Sequence, residues 1–179
     1  MKRNTEHVTS EWLVINTQLG SAEAFEQLAS LWYPKLLRYA SVQLNDRDLA
    51  ADAAQNTFLV ISKKLHSLKD PAAFPAWAYQ ILHAQAVDLI RKNQRNGKLK
   101  SVLEEAQNLE PEKVNNERSL DFNNALLSLD AELYRTVHLH YLEGFSQAEV
   151  GQILSIPEGT VKSRVHTARA QLTHYLSGE

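Results

Sequence analysis

The spacing of the apolar residues restricts this chain more than any other feature. Phe58, Ile61 and Leu65 recur at i, i+3, i+7, and Val161, Val165, Ala168 and Leu172 at i, i+4, i+7, i+11. Each pattern lays one apolar stripe along a helix, and no stretch shows strand alternation with hairpin signals between runs. Glycine and proline, 6 and 5 in 179 residues, fall mostly at boundaries. The expectation is an all-α chain with helices over 10–19, 22–43, 47–66, 72–95, 119–128, 130–142, 146–154 and 157–176. Thr9 or Ser10 is expected to cap the first helix and Ser21 the second. Pro34 should kink or interrupt the second, and Pro71 and Pro75 mark the start of the fourth.

Charge divides the chain. From Ser101 to Asp121, Glu104, Glu105, Glu110, Glu112, Glu117 and Asp121 stand against Lys113 and Arg118, whereas residues 81–100 hold Arg91, Lys92, Arg95, Lys98 and Lys100 against Asp88. A reversal of sign beside a polar, apolar-poor segment is a linker signal. The expected organisation is two small helical domains, 1–95 and 119–179, joined by a flexible acidic linker over 96–118. The absence of cysteine removes disulfides, thiol catalysis and Cys-based zinc sites. No apolar run reaches the roughly 18 residues of a membrane span. Trp12-Leu13-Val14-Ile15 is too short for a secretory signal core, so a cytoplasmic protein without membrane insertion is expected. The net charge of −2 argues against a uniformly basic coat and leaves local patches to decide.

The segment Ser146–Leu172 is the most specific. Ser146 with Glu149 makes a capping-box pattern, Val150, Ile153 and Leu154 give an apolar face, and Ala148 and Gly151 are small enough to let a second helix cross closely. Ser155-Ile156-Pro157 then breaks the helix and starts the next, giving a helix-turn-helix. The outer side of that second helix carries Thr160, Lys162, Ser163, Arg164, His166, Thr167 and Arg169, with no acid between Glu158 and Ser177. Arg and Lys reach guanine edges and phosphates, and Ser and Thr donate to phosphate oxygens, so this face suits a major groove. A plain solvated face on a helical hairpin is the alternative. His138 and His140 point about 200° apart on a helix and cannot chelate one metal together. They are read as packing or surface residues, and no metal site is expected.

In helix 72–95 the first half is aromatic and apolar (Phe74, Trp77, Tyr79, Ile81), and the second sets Asp88, Arg91, Lys92 and Arg95 at i, i+3, i+4, i+7. Basic residues beside exposed aromatics suit a groove that tracks a single strand and stacks its bases. Ile81 is expected in the core, and Trp77 either there or on that surface.

The order of motifs resembles a known family. Asp52-Ala53-Ala54-Gln55-Asn56-Thr57-Phe58, Phe74-Pro75-Ala76-Trp77-Ala78-Tyr79-Gln80-Ile81 and Asp88-Leu89-Ile90-Arg91-Lys92 resemble region 2 of the sigma-70 family. Gly144-Phe145-Ser146, Glu149-Val150-Gly151, Gly159-Thr160-Val161-Lys162-Ser163-Arg164 and Ala168-Arg169 resemble region 4. Two such regions on a short linker resemble the small extracytoplasmic-function (ECF) sigma factors. The resemblance implies a transcription initiation factor, not an enzyme, that binds bacterial core RNA polymerase and promoter DNA. It implies polymerase docking through helix 47–66, with Asp52, Gln55, Asn56, Thr57 and Phe58 in contact. It further implies duplex reading of the minus-thirty-five element by Thr160, Lys162, Ser163, Arg164, His166 and Arg169. The melted minus-ten strand would lie along Trp77, Asp88, Arg91, Lys92 and Arg95, with a flipped base in the loop before helix 72–95.

Relatives usually carry acids at the positions of Ala51 and Asn56, an Asn at that of Ala84 and a basic residue at that of Thr167. The shortage of acids in the docking helix raises phosphorylation of Thr57 by a Ser/Thr kinase as a way to restore charge. An anti-sigma factor is the more common control in such a family. Two competitors stay open: a sigma mimic that titrates an anti-sigma factor, and a helix-turn-helix regulator acting without polymerase.

Overall fold

The computed structural model describes residues 5–95 and 124–177. The chain divides into two compact units, Met1–Leu99 and Lys100–Glu179, and the expected linker 96–118 lies outside the described residues. All regular structure among the described residues is helical.

The first unit holds α1 (Thr5–Gln18), α2 (Ala22–Leu44), α3 (Arg47–Lys64) and α4 (Phe74–Arg95), with short 3₁₀ turns at Leu65–Ser67 and Pro71–Ala73. Local chemistry sets the ends. Ser21 caps α2 by accepting from the Ala24 amide at 3.2 Å, and Asp46 caps α3 by accepting from the Leu49 amide at 2.9 Å. Between them Asn45 takes a left-handed conformation (φ 51°) that closes α2.

α1 starts five residues earlier than expected, which overturns the capping role of Thr9 and Ser10. Ser10 is wholly buried; its hydroxyl donates to the Glu6 carbonyl (2.8 Å) and accepts from the Trp32 indole (2.9 Å). It serves as the partner that a buried tryptophan N–H requires. α2 runs uninterrupted through Pro34. Pro34 and Ser30, whose carbonyl loses its usual amide partner, are both exposed, where solvent can satisfy that carbonyl. Buried Trp32 and Leu36 hold the two halves in the core. α2 packs against α1, α3 and α4, around an aromatic core in which Trp32 meets Phe74 (5.6 Å) and Tyr39 meets Tyr79 (5.2 Å), both edge-on.

The second unit begins with helical residues 124–127, the described part of the expected helix 119–128. Next come α5 (Ala131–Val137), one π turn at His138–Leu142, α6 (Gln147–Leu154) and α7 (Glu158–Ser177). Asp130 caps α5 by accepting from the Glu132 and Leu133 amides, both at 2.9 Å. The wider turn holds His138 inside, with Nδ1 3.2 Å from the Tyr134 hydroxyl and Nε2 3.3 Å from a Glu143 carboxylate oxygen. His140 donates from Nδ1 to the Phe145 carbonyl at 2.7 Å. Both histidines therefore serve packing. α7 lies against α5 and α6, with Val161, Val165, Ala168 and Leu172 as its buried stripe.

Candidate nucleic-acid interface

α6 and α7 form the helix-turn-helix that the sequence led us to expect. Ser146 Oγ accepts from the Glu149 amide (3.2 Å), and a Glu149 carboxylate oxygen accepts from the Ser146 amide (2.8 Å), completing the capping box. At the other end Ser155 adopts a left-handed conformation (φ 56°), and the Ile156 amide donates back to the Gly151 carbonyl at 3.0 Å. A Cβ on Gly151 would stand 2.9 Å from the Ile156 carbonyl oxygen, so glycine is what lets the turn fold back onto α6. Ala148, expected to share in that crossing, is exposed instead.

On α7, Lys162, Ser163, His166, Thr167 and Arg169 are exposed and Thr160 is half-buried. Arg164 departs from this group. Its side chain is only 22% exposed and its guanidinium pairs with the carboxylate of Glu132 on α5. The contact joins α7 to α5 across 32 residues of sequence, and so Arg164 acts first as a brace within the unit. The Ser163 hydroxyl donates to the Thr160 carbonyl (2.9 Å) and keeps its acceptor lone pairs outward.

In the first unit, α3 buries Ala50, Ala53, Ala54, Thr57 and Ile61. Small residues on that face let neighbouring helices approach closely. Asp52 and Gln55 are exposed and Asn56 half-buried. Phe58, read from the sequence as part of the buried stripe, is half-buried between Phe25 (6.5 Å) and Tyr33 (6.1 Å) on α2. Together with Ala29 and Leu59 these rings line a shallow apolar groove between α2 and α3. Leu59, 57% exposed, was missed by sequence reasoning. Its position four residues after Gln55, off the Ile61 stripe, was the available signal.

Thr57 is corrected on both counts. It is fully buried and its hydroxyl donates to the Ala53 carbonyl at 2.7 Å. A side chain so placed offers no surface to a partner and no hydroxyl to a kinase, contrary to both expectations for this position.

α4 turns Phe74, Ala78, Tyr79, Leu82 and Ala86 inward. Ile81 is half-buried rather than core, and shares the outer face with half-buried Trp77, exposed Ala84, exposed Asp88 and exposed Arg91, at i, i+4, i+7, i+11, i+14 from Trp77. Lys92 is exposed beside them, and Arg91 lies 4.0 Å from Asp88. Arg95 ends the helix, its side chain lying outside the described residues. The turn before α4 is anchored by buried Leu65 and capped by Asp70, which accepts from the Ala72 amide at 3.0 Å; His66, Ser67, Lys69 and Asp70 face solvent.

A capped helix-turn-helix with an exposed basic helix, paired with a four-helix unit whose α4 carries aromatic and cationic residues on one face, invites comparison with known proteins. The family model described as ECF sigma factor matches residues 6–178. The chain belongs to the ECF sigma factor family. It is similar to the ECF RNA polymerase sigma-E factor of Haemophilus influenzae, 26% identical over 180 residues that cover 93% of this chain and 95% of the relative. It is also similar to the ECF RNA polymerase sigma factor SigW of Bacillus subtilis, 26% identical over 170 residues that cover 88% and 91%. Among solved structures, the sigma factor RpoE of Bartonella quintana, in complex with the anti-sigma factor NepR, superposes with a TM-score of 0.71 at 27% identity, covering 87% of this chain and 98% of that one. CnrH in complex with the cytosolic domain of CnrY, at 21% identity and a TM-score of 0.62, shares the fold. This sigma factor is a transcription initiation factor that binds core RNA polymerase and directs it to promoter DNA. Among the described residues of this sigma factor, no helix is long and apolar enough to cross a membrane, and no cluster of three His, Cys, Asp or Glu is placed to hold a metal.

Proposed function

We propose a division of labour among these surfaces, in a cytoplasmic protein that acts by binding and without catalysis of its own. The exposed side of α7, which carries no acid beyond Glu158 in its first turn, is the basis of the argument. Lys162, Ser163, His166 and Arg169 stand outward on a helix whose opposite stripe is buried, and together they fit the major groove of the minus-thirty-five element, with Thr160 at the entry. Arg164 supports this face through Glu132 and contacts DNA secondarily. The outer face of α4 takes the melted minus-ten strand, Trp77 supplying a stacking surface and Arg91, Lys92 and Arg95 neutralising phosphates beside Asp88. The turn 65–73, with its exposed polar residues, receives the flipped base.

Docking on core polymerase falls to Asp52, Gln55 and Asn56, with Phe58 and Leu59 adding apolar contact in the groove against α2. The structural relative from Bartonella quintana is a complex with an anti-sigma factor, and an anti-sigma factor covering these surfaces is the control we propose for this chain.

The test is co-elution of the purified, unmodified protein with bacterial core RNA polymerase at near-physiological salt. Stable co-elution that Asp52→Lys and Leu59→Asp each abolish is the expected result. Co-elution indifferent to both substitutions would overturn the docking assignment.

A further inference from the structure

The turn proposed to receive the flipped base is hydrogen-bonded from behind by the side chain of Gln18. Gln18, near the end of α1, donates from Nε2 to the Leu65 carbonyl (2.9 Å) and to the Leu68 carbonyl (2.8 Å), 47 and 50 residues further along the chain. One amide nitrogen has two hydrogens, and both are spent on this turn. The remaining bonds of the turn are local: the Leu68 amide donates to the Leu65 carbonyl (3.1 Å), the Ser67 hydroxyl to the Lys64 carbonyl (2.7 Å) and the Ala73 amide to the Asp70 carbonyl (3.0 Å). Local bonds fix the shape of a turn without fixing its place on the domain. Buried Leu65 and Gln18 supply that placement.

We propose that Gln18 is a positioning residue for base recognition, holding the turn 65–73 in a preformed arrangement so that His66, Ser67, Lys69 and Asp70 meet an extruded base without first having to be ordered. The inference rests on the assignment of the flipped base to this turn. A preformed site spares the ordering cost at the moment of binding, and a receptor with a fixed backbone discriminates between bases by the position of its donors and acceptors. A turn free to shift by an ångström would admit more than one base.

Two substitutions isolate the role. Gln18→Glu keeps the size of the side chain but replaces both N–H groups with an acceptor facing two carbonyls; Gln18→Leu removes donors and charge together. Gln18 is half-buried, so neither substitution opens a core cavity. Each full-length variant is assembled with core polymerase and presented with a pool of short single-stranded DNA randomised at its central positions and, separately, with a randomised duplex pool. Retained molecules are sequenced.

The wild type should show a strong preference at one position of the single strand. Both variants should weaken that preference about tenfold while the duplex preference changes little, and the loss of two neutral hydrogen bonds at their usual net worth should lower tryptophan-monitored unfolding by several degrees without abolishing the transition. Variants that keep the wild-type single-strand preference overturn the proposal. Equal loss for both pools, or loss of polymerase binding, also overturns it, since that marks a merely structural residue. His66→Ala with Ser67→Ala in the turn separates the two levels. If this double variant alters the single-strand preference while the Gln18 variants do not, only the role of Gln18 fails. If it too leaves the preference intact, the base-binding assignment of the turn fails first.

Discussion

Gly151→Ala puts two opposing effects in competition. Alanine in a helix interior is favoured over glycine by about 1 kcal/mol. Against that, the new methyl would stand 2.9 Å from the Ile156 carbonyl oxygen, when ordinary contact begins near 3.4 Å. The atom it meets is backbone, and that backbone is fixed twice, by the bond from the Ile156 amide to the Gly151 carbonyl and by the left-handed Ser155. Relief requires the start of α7 to move by about half an ångström from α6, and overpacking of this kind costs about 1–3 kcal/mol. The net loss is about 1 kcal/mol, or about 5 °C for a unit of this size. Trp12, Trp32 and Trp77, the three tryptophans, all lie in the first unit. Fluorescence therefore follows that unit alone, whereas far-UV circular dichroism follows both. The expected result is a dichroism transition lowered by about 5 °C with the fluorescence transition unmoved. A midpoint that stays or rises would refute the reasoning, because it would mean that the turn yields cheaply and helix propensity wins.

Substitutions at four other positions have equally definite outcomes. Ser155→Gly relieves a left-handed conformation that costs an L-residue about 1 kcal/mol, so the second unit should melt several degrees higher by circular dichroism. Thr57→Glu should not activate the protein: a buried carboxylate without a partner costs several kcal/mol, and the fluorescence transition should collapse, while Thr57→Ala loses about 1 kcal/mol and still co-elutes with core polymerase. Lys162→Ala should lower the salt dependence of duplex binding by about one unit of slope and leave melting unchanged. Arg164→Ala should act mainly on stability, destabilising the second unit by up to about 1 kcal/mol, a loss limited by the solvent exposure of Glu132, and should lower the salt slope by less than Lys162→Ala does. Identical behaviour of these two variants in both assays would contradict the bracing role of Arg164.

Much of this protein was legible because its ends and faces are set within one helical turn. Ser21, Asp46, Asp130 and Ser146 each bond an amide two or three residues ahead, so a cap can be read without knowing the fold. The stripe Val161, Val165, Ala168, Leu172 likewise follows from period alone, and with it the outward basic face of α7. The capping box, the turn and the proline that opens α7 are contiguous in sequence, which is why the helix-turn-helix was readable almost residue by residue.

Where expectation failed, the deciding partner was distant. Ser10 looked like a cap until Trp32, 22 residues on, claimed its hydroxyl. The pairing of Arg164 with Glu132 and the hold of Gln18 on the turn 65–68 carried no sequence signal. Thr57 and Phe58 are neighbours on one helix, and period could not say which of them α2 and α4 would enclose. The sequence alone determined that the described segments are helical, where most of them start, and that the second helix of the turn presents cations. Tertiary structure alone decided which polar side chains are used up inside the molecule and which remain for a partner. The physical reason is range: caps and periodicity act over three or four residues, whereas burial and side-chain pairing depend on elements brought together from tens of residues apart.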